Sequence, residues 1–87
     1  MRLSVIIPAY NAAAFIASSL GMLDEFLSKQ MESFEIIVVN DGSTDNTSPT
    51  VSSLQSPHVR LLELATNMGK FGAIKAGMRE ARGNCCL

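Results

Sequence analysis

Glu35 to Asn40 reads EIIVVN, and its four consecutive apolar residues show no polar alternation. A strand wetted on one face alternates apolar with polar; a strand covered on both faces does not. Leu3 to Ile7 is a second such run, short and rich in β-branched residues, and Pro8 stops it. Val59 to Leu64 reads as a third strand. Helical patterns lie between these runs. Asn11 is placed to cap a helix beginning near Ala12. Ile16, Leu20, Leu23 and Leu27 then recur at helical spacing, with Phe15, Met22 and Phe26 widening the stripe. The spacing predicts a helix over about residues 12–30, with Gly21 a mild internal penalty. A weaker helix over about 46–55 carries Pro49 in its first turn. A third, over about 69–82, has Phe71, Ile74, Met78 and Ala81 as apolar positions and Gly83 as its C-cap. Asn84-Cys85-Cys86-Leu87 looks like the opening of a fourth strand.

Strand and helix alternate three times before that last segment. The order predicts an α/β fold, a parallel sheet with right-handed crossovers and helices on both faces, in three layers. The expected core is Val5 to Ile7, Ile16, Leu20, Leu23, Ile36 to Val39, Leu61, Leu62, Ile74 and Met78. Residues 1–87 are expected to be the N-terminal part of one domain, cut at the start of the fourth strand. The alternative is a short edge strand closing a small fold. A cut there would expose apolar surface and a sheet edge, so low stability or association is expected.

Composition narrows the function classes. The 87 residues carry 7 Lys and Arg against 8 Asp and Glu, a net charge of −1, so there is no basic footprint for nucleic acid. Hydrophobic residues make up 47%, enough for a core and too many for disorder. The two cysteines are adjacent, which excludes a disulfide-stapled mini-protein; they read as small buried hydrophobes on opposite faces of a strand. No apolar run approaches the ~20 residues of a membrane span, and the N-terminal apolar stretch is too short for a signal peptide. A cytoplasmic protein is expected, with any place at the cytoplasmic face of a membrane owed to other regions. Neither a dinucleotide fingerprint nor a P-loop is present. His58 reads as a solvated loop residue, and Ser43, His58 and Asp41 lack the spacing of a nucleophile elbow.

Open α/β sheets bind ligands beyond the carboxyl ends of their strands. That rule selects Pro8 to Asn11, Asn40 to Ser43, and Ala65 to Lys70. Tyr10 offers a flat face for a base, Asp41 a carboxylate for a base or ribose, and Gly42 close backbone approach. From spacing alone, Tyr10 packed at a strand–helix corner, and Asp41 and Ser43 in ordinary turn chemistry, are the favoured readings.

SVIIPAYN at 4–11, EIIVVNDGSTDNT at 35–47 and NMGKFGAIKAGMREARGN at 67–84 resemble, in order and spacing, the opening blocks of family 2 glycosyltransferases with the GT-A fold. The resemblance covers essentially the whole chain and implies a Rossmann-like parallel sheet. It implies that Pro8, Ala9 and Tyr10 line a uridine pocket and that Asp41, in its turn with Gly42, bonds the uracil ring. It places Asn67, Gly69 and Lys70 along the nucleotide, Lys70 as a diphosphate contact; a solvated helix face is the competing reading of Lys70 and Lys75. The implied reaction moves a sugar from a UDP- or GDP-sugar to a glycan or polyprenyl-phosphate acceptor, with inversion. A divalent metal, Mg or Mn, would serve the full-length enzyme. The resemblance puts the metal-binding D-x-D motif and the catalytic base outside this chain, so no catalytic or metal residue is expected here and the chain alone is expected to be inactive. Ala12 and Ala13 stand where many polyprenyl-phosphate enzymes read acidic after Y-N, whereas Gly69-Lys70-Phe71-Gly72-Ala73 looks closer to that branch. The alternatives are a non-catalytic nucleotide-binding or interaction module of the same fold and, remotely, nucleic-acid binding through the G-x-x-G at 69–72.

Overall fold

A computed structural model of the chain describes residues 3–83 and the backbone of Cys85 and Cys86. The elements follow in the order β1 (Leu3–Ala9), α1 (Ile16–Gln30), β2 (Phe34–Asn40), α2 (Thr47–Ser53), β3 (Val59–Glu63), α3 (Gly69–Glu80) and β4 (Cys85–Cys86). The four strands form one parallel sheet in the order β3-β2-β1-β4. All seven residues of β2 are buried, as its unbroken apolar run requires of a strand with neighbours on both edges and helices on both faces.

Alternation divides the sheet between two cores. Leu3, Ile36 and Val38 pack with Ile16, Leu20 and Leu27 of α1 and Val51 of α2. Ile6, Ile37 and Val39 pack on the other face with Ala73 of α3. The chain steps outward from β1 to β2 to β3, then crosses back to place β4 on the far side of β1. A right-handed crossover in the reverse direction puts its helix on the opposite face, which is where α3 lies. The reversal leaves a switch point at the carboxyl end of β1.

Several boundaries differ from expectation for physical reasons. β1 runs through Pro8 to Ala9, with Pro8 in register with Val39. Leu3 N donates to Ser33 and Ala9 O accepts from Asp41 N, so the odd-numbered residues of β1 face β2. The nitrogen of Pro8 therefore points to the other edge, and the missing N–H removes no bond to β2. α1 starts at Ile16, not near Ala12. Asn11 is not its cap: it sits at φ 51, a left-handed conformation that asparagine tolerates. α3 ends at Ala81 in an extended conformation, so Gly83 is not a C-cap.

The helical stripes are narrower than predicted. Phe15 just before α1, Met22 and Phe26 on it, and Phe71 and Met78 on α3 are all more than half exposed. On α3 the contact is made by small residues instead. A Cβ on Gly77 would stand 2.5 Å from Ile6 Cγ2, so the helix lies too close to the sheet for large side chains beneath it. Ile74 ends half-buried for the same reason.

A polar knot closes the amino end of the sheet. Glu35 is buried among hydrogen bonds from Ser4 Oγ (2.7 Å), Arg60 Nη1 (2.8 Å) and Arg82 N (2.6 Å). Gly83 N donates to Ser4 Oγ at 2.8 Å. The segment leading from α3 to β4 is thus tied to the starts of β1 and β2. Arg60 also reaches Glu80, with Nη2 3.7 Å from Oε1.

Candidate functional site

At the switch point an open cleft of about 360 Å³ is lined by Pro8, Ala9, Tyr10, Asp41, Asn67, Gly69 and Lys70. Those residues come from three separate stretches of sequence, brought together because parallel strands end side by side. Tyr10 follows β1 and is half exposed at the mouth. Asp41 follows β2 and is buried. Its backbone N donates to Ala9 O at 2.8 Å, and its Oδ1 accepts from Met68 N at 2.6 Å. That second bond fixes the chain leading into α3 against the end of β2. Its Oδ2 has no hydrogen-bond partner among the described residues. Asn67 Oδ1 accepts from Gly69 N at 3.0 Å, and Gly69 itself sits at φ 79. Lys70 stands in the first turn of α3 with its side chain exposed.

Gly42 is placed differently from expectation. It does not line the cleft; it packs beneath the β3–α3 loop. At φ 72, a Cβ there would stand 2.8 Å from Asn67 N and 3.1 Å from Thr66 C. Both obstacles are backbone, which cannot swing aside. Gly42→Ala is expected to cost about 1–2 kcal/mol from the left-handed conformation alone and to push Asn67 off its position. A lower thermal midpoint, with shifted Asn67 and Gly69 amide resonances, is the readout.

The turn after β2 is a rigid shelf behind the cleft. Asn11 N donates to Ser43 Oγ (2.9 Å), and Asn11 Oδ1 accepts from Thr44 N (2.8 Å). Ala12 N donates to Thr47 Oγ1 (2.9 Å) and Ala13 N to Asp45 Oδ2 (3.1 Å). The backbone amides of the β1–α1 connection are thus served by side chains of the turn after β2. The Thr47 hydroxyl and then the amides of Ala13 and Thr47 outweigh an opposing push from burial and hold the Asp45 carboxyl below its usual range. Asn40 bonds the Ser43 and Ser48 hydroxyls and, at 3.3 Å, Glu63 Oε1. Asn11 and Asn40 were not singled out as anchors in the sequence. The one usable signal was the tolerance of asparagine for positive φ.

His58 lies at the amino end of the sheet, away from Asp41 and Ser43. It is not a free loop residue: Nδ1 is 3.0 Å from Asp24 Oδ1, and the ring packs on Phe34 with centroids 4.2 Å apart. Bonds from the Ser56 hydroxyl and then His58 outweigh burial and lower the Asp24 pKa. Gly69-Lys70-Phe71-Gly72 forms the first turn of α3 rather than a loop, so it is no backbone clamp of the KH kind. No group of three His, Cys, Asp or Glu side chains that could hold a metal occurs among the described residues. No helix of the described residues is long and apolar enough to cross a membrane. The side chains of Cys85 and Cys86 lie outside the described residues.

Known proteins resemble this chain along its whole length. The family model described as Glycosyl transferase family 2 matches residues 4–87. The dolichyl-phosphate beta-glucosyltransferase of Dictyostelium discoideum is 42% identical over 94 residues, which cover 98% of this chain and 29% of that protein. The enzyme of the same name from Drosophila melanogaster is 40% identical and covered to 29%. Among solved structures, mannosyltransferase PcManGT from Pyrobaculum calidifontis, in complex with GDP-Man and Mn2+, superposes with a TM-score of 0.79 at 30% identity, over 94% of this chain and 25% of that one. S. aureus TarS 1-349 in complex with UDP gives 0.81 at 29% identity, over 100% of this chain and 26% of that one. The chain thus spans under a third of the length of the relatives it matches.

Proposed function

Because the chain belongs to glycosyl transferase family 2, we propose that its cleft holds the nucleoside diphosphate of a nucleotide-sugar donor. The observation that carries this reading is the convergence of Tyr10, Asp41 and Lys70 on one opening at the switch point of the sheet. Each brings a different chemistry. The Tyr10 ring gives a flat face for a base. Asp41 has Oδ1 committed to Met68 N, which leaves Oδ2 to accept an N–H from the base. Lys70 brings positive charge toward a diphosphate. Gly69 keeps the backbone beside it open, since nothing lies within 4 Å of where its Cβ would be.

In this reading residues 1–87 form the N-terminal, donor-binding part of one GT-A domain in a longer protein. The whole protein would transfer the sugar with inversion to a polyprenyl phosphate, at the cytoplasmic face of a membrane. Similarity to two dolichyl-phosphate beta-glucosyltransferases supports that acceptor over a glycan. A divalent metal would neutralise the leaving diphosphate. The described residues do not fit a metal: only Asp41 among them brings a carboxylate to the cleft, and one of its oxygens is already bonded. The part played by this chain is therefore to bind and orient the donor.

The test is titration of the chain with UDP, followed by calorimetry or amide chemical shifts. Weak binding is expected, with a Kd of about a millimolar, since a nucleoside and one cation are all that is gripped. Asp41→Ala is expected to abolish it. Asp41→Asn, which can still accept from Met68 N, is expected to weaken it by about tenfold through loss of the charged acceptor. Unchanged affinity in both variants would overturn the reading.

A further inference from the structure

α3 presents two unlike faces. Ala73 and Gly77 are buried against the sheet. With 3.6 residues per turn, Phe71, Lys75, Met78 and Arg79 fall together on the opposite side, and Met68 stands at its N-terminal end. Phe71 is 82% exposed, Met68 58% and Met78 53%. Single exposed apolar residues are ordinary; here they alternate with cations on one surface. Four of the chain's seven Lys and Arg residues lie at 70, 75, 79 and 82, where only one of its eight acids, Glu80, is found. Glu80 is turned toward Arg60. Among the described residues no carboxylate lies within ion-pair distance of Lys70, Lys75, Arg79 or Arg82.

α1 supplies the contrast. Phe15, Met22 and Phe26 are also exposed, but the cation beside them, Lys29, is paired with Glu25 at 3.4 Å. The apolar surface of α1 therefore carries a paired cation, and that of α3 carries unpaired ones. In a chain with a net charge of −1, this separation is confined to one helix.

A helix that shows apolar side chains among free Lys and Arg suits the boundary layer of a bilayer. The aromatic and methionine side chains enter the acyl region, while the cations stay with lipid phosphates. We infer that the outward face of α3 docks on the surface of an anionic lipid bilayer. α3 has 12 residues and cannot span a bilayer, so it lies in the plane of the surface. Docking in this way turns the Phe71, Lys75, Met78 and Arg79 face to the headgroups and leaves Lys70, on the cleft side of the helix, free for a ligand. The inference stands on α3 alone and is independent of nucleotide binding.

Co-sedimentation of the chain with vesicles tests it. Vesicles of phosphatidylcholine mixed with phosphatidylglycerol are expected to carry the protein down; phosphatidylcholine alone is not. Added salt is expected to weaken the binding. Phe71→Ser, and separately Lys75→Glu with Arg79→Glu, are each expected to reduce it by at least about tenfold. All these side chains face solvent, and circular dichroism checks that the variants fold. Phe26→Ser on α1 is expected to change nothing. The inference is overturned if neither vesicle binds, if both bind equally, or if Phe26→Ser does as much as Phe71→Ser. A concentration-dependent dimer that Phe71→Ser disperses, without vesicle binding, assigns the face to a second copy and overturns it as well.

Discussion

Glu35→Ala is expected to cost about 3–5 kcal/mol of folding stability, the usual range for breaking a buried ion pair from one side. The alanine would leave Arg60 without its nearest carboxylate and Arg82 N without an acceptor. Ser4 Oγ would keep its bond from Gly83 N but lose the oxygen to which it donates. Small domains have little stability to spare, so the urea midpoint should fall sharply. The exposed Lys29–Glu25 pair is the control: with side chains 70% and 72% exposed, its loss should cost no more than about 0.5 kcal/mol. Glu35 also sets an acid limit. Burial pushes its pKa up, but the Ser4 hydroxyl, the Arg82 amide and the Arg60 guanidinium outweigh burial and bring it from 4.5 to about 2. A carboxyl whose pKa is lowered on folding adds stability above its unfolded value. That stability drains away as pH falls toward the folded value. Roughly 3 kcal/mol should therefore disappear between pH 4.5 and about 2, and the Glu35→Ala variant should lose correspondingly less over the same window.

Gly77→Val should act with comparable force from the middle of α3. The new Cβ would sit 2.5 Å from Ile6 Cγ2 and 3.0 Å from Val39 Cγ2. Both neighbours belong to buried core, and Val39 is 0% exposed, so neither has room to retreat. Overpacking of this kind costs about 1–3 kcal/mol, and the two γ-methyls place this change at the top of that range. Relief requires α3 to lift from the sheet, which moves Lys70 and widens the cleft. A depressed thermal midpoint together with weaker UDP binding is the expected pair of results. Gly21→Ala on α1 should do the opposite. Nothing lies within 4 Å of the new methyl, so the helix should gain about 0.5–1 kcal/mol. If Gly77→Val melted at the wild-type temperature, the close approach of α3 would be refuted.

The sheet was legible because its signal is local. EIIVVN announces a doubly covered strand without reference to any other residue, and β2 is buried along its whole length. The cleft was legible at one remove. Once the strands are parallel, their carboxyl ends must adjoin, so Tyr10, Asp41 and Lys70 share an opening. What escaped depends on distance in sequence or on helix height. The partners of Glu35 lie 25, 31 and 47 residues away, and nothing in a lone glutamate before a strand announces them. His58 and Asp24 are 34 residues apart. Periodicity reported that Phe15, Phe26, Phe71 and Met78 are apolar, but not how closely each helix approaches the sheet. On α3 that distance is fixed by a glycine, so Phe71 and Met78 face outward. Gly42 reads in the sequence as a place where a ligand nears the backbone, whereas what lies against it in the structure is the chain's own backbone at Thr66 and Asn67.

The imide of Pro8 works as a seam stop. On the edge of β1 turned toward β4, Ser4 and Ile6 can each offer an N–H, and Pro8 offers none. A strand laid along this edge can be stitched to β1 from the bottom of the sheet upward, but the stitching loses its thread two positions after Ile6. Pro8 is also one wall of the cleft, and on that edge it carries no N–H that a ligand would have to satisfy. The seam thus ends where the cleft begins, and the wall it leaves there is apolar.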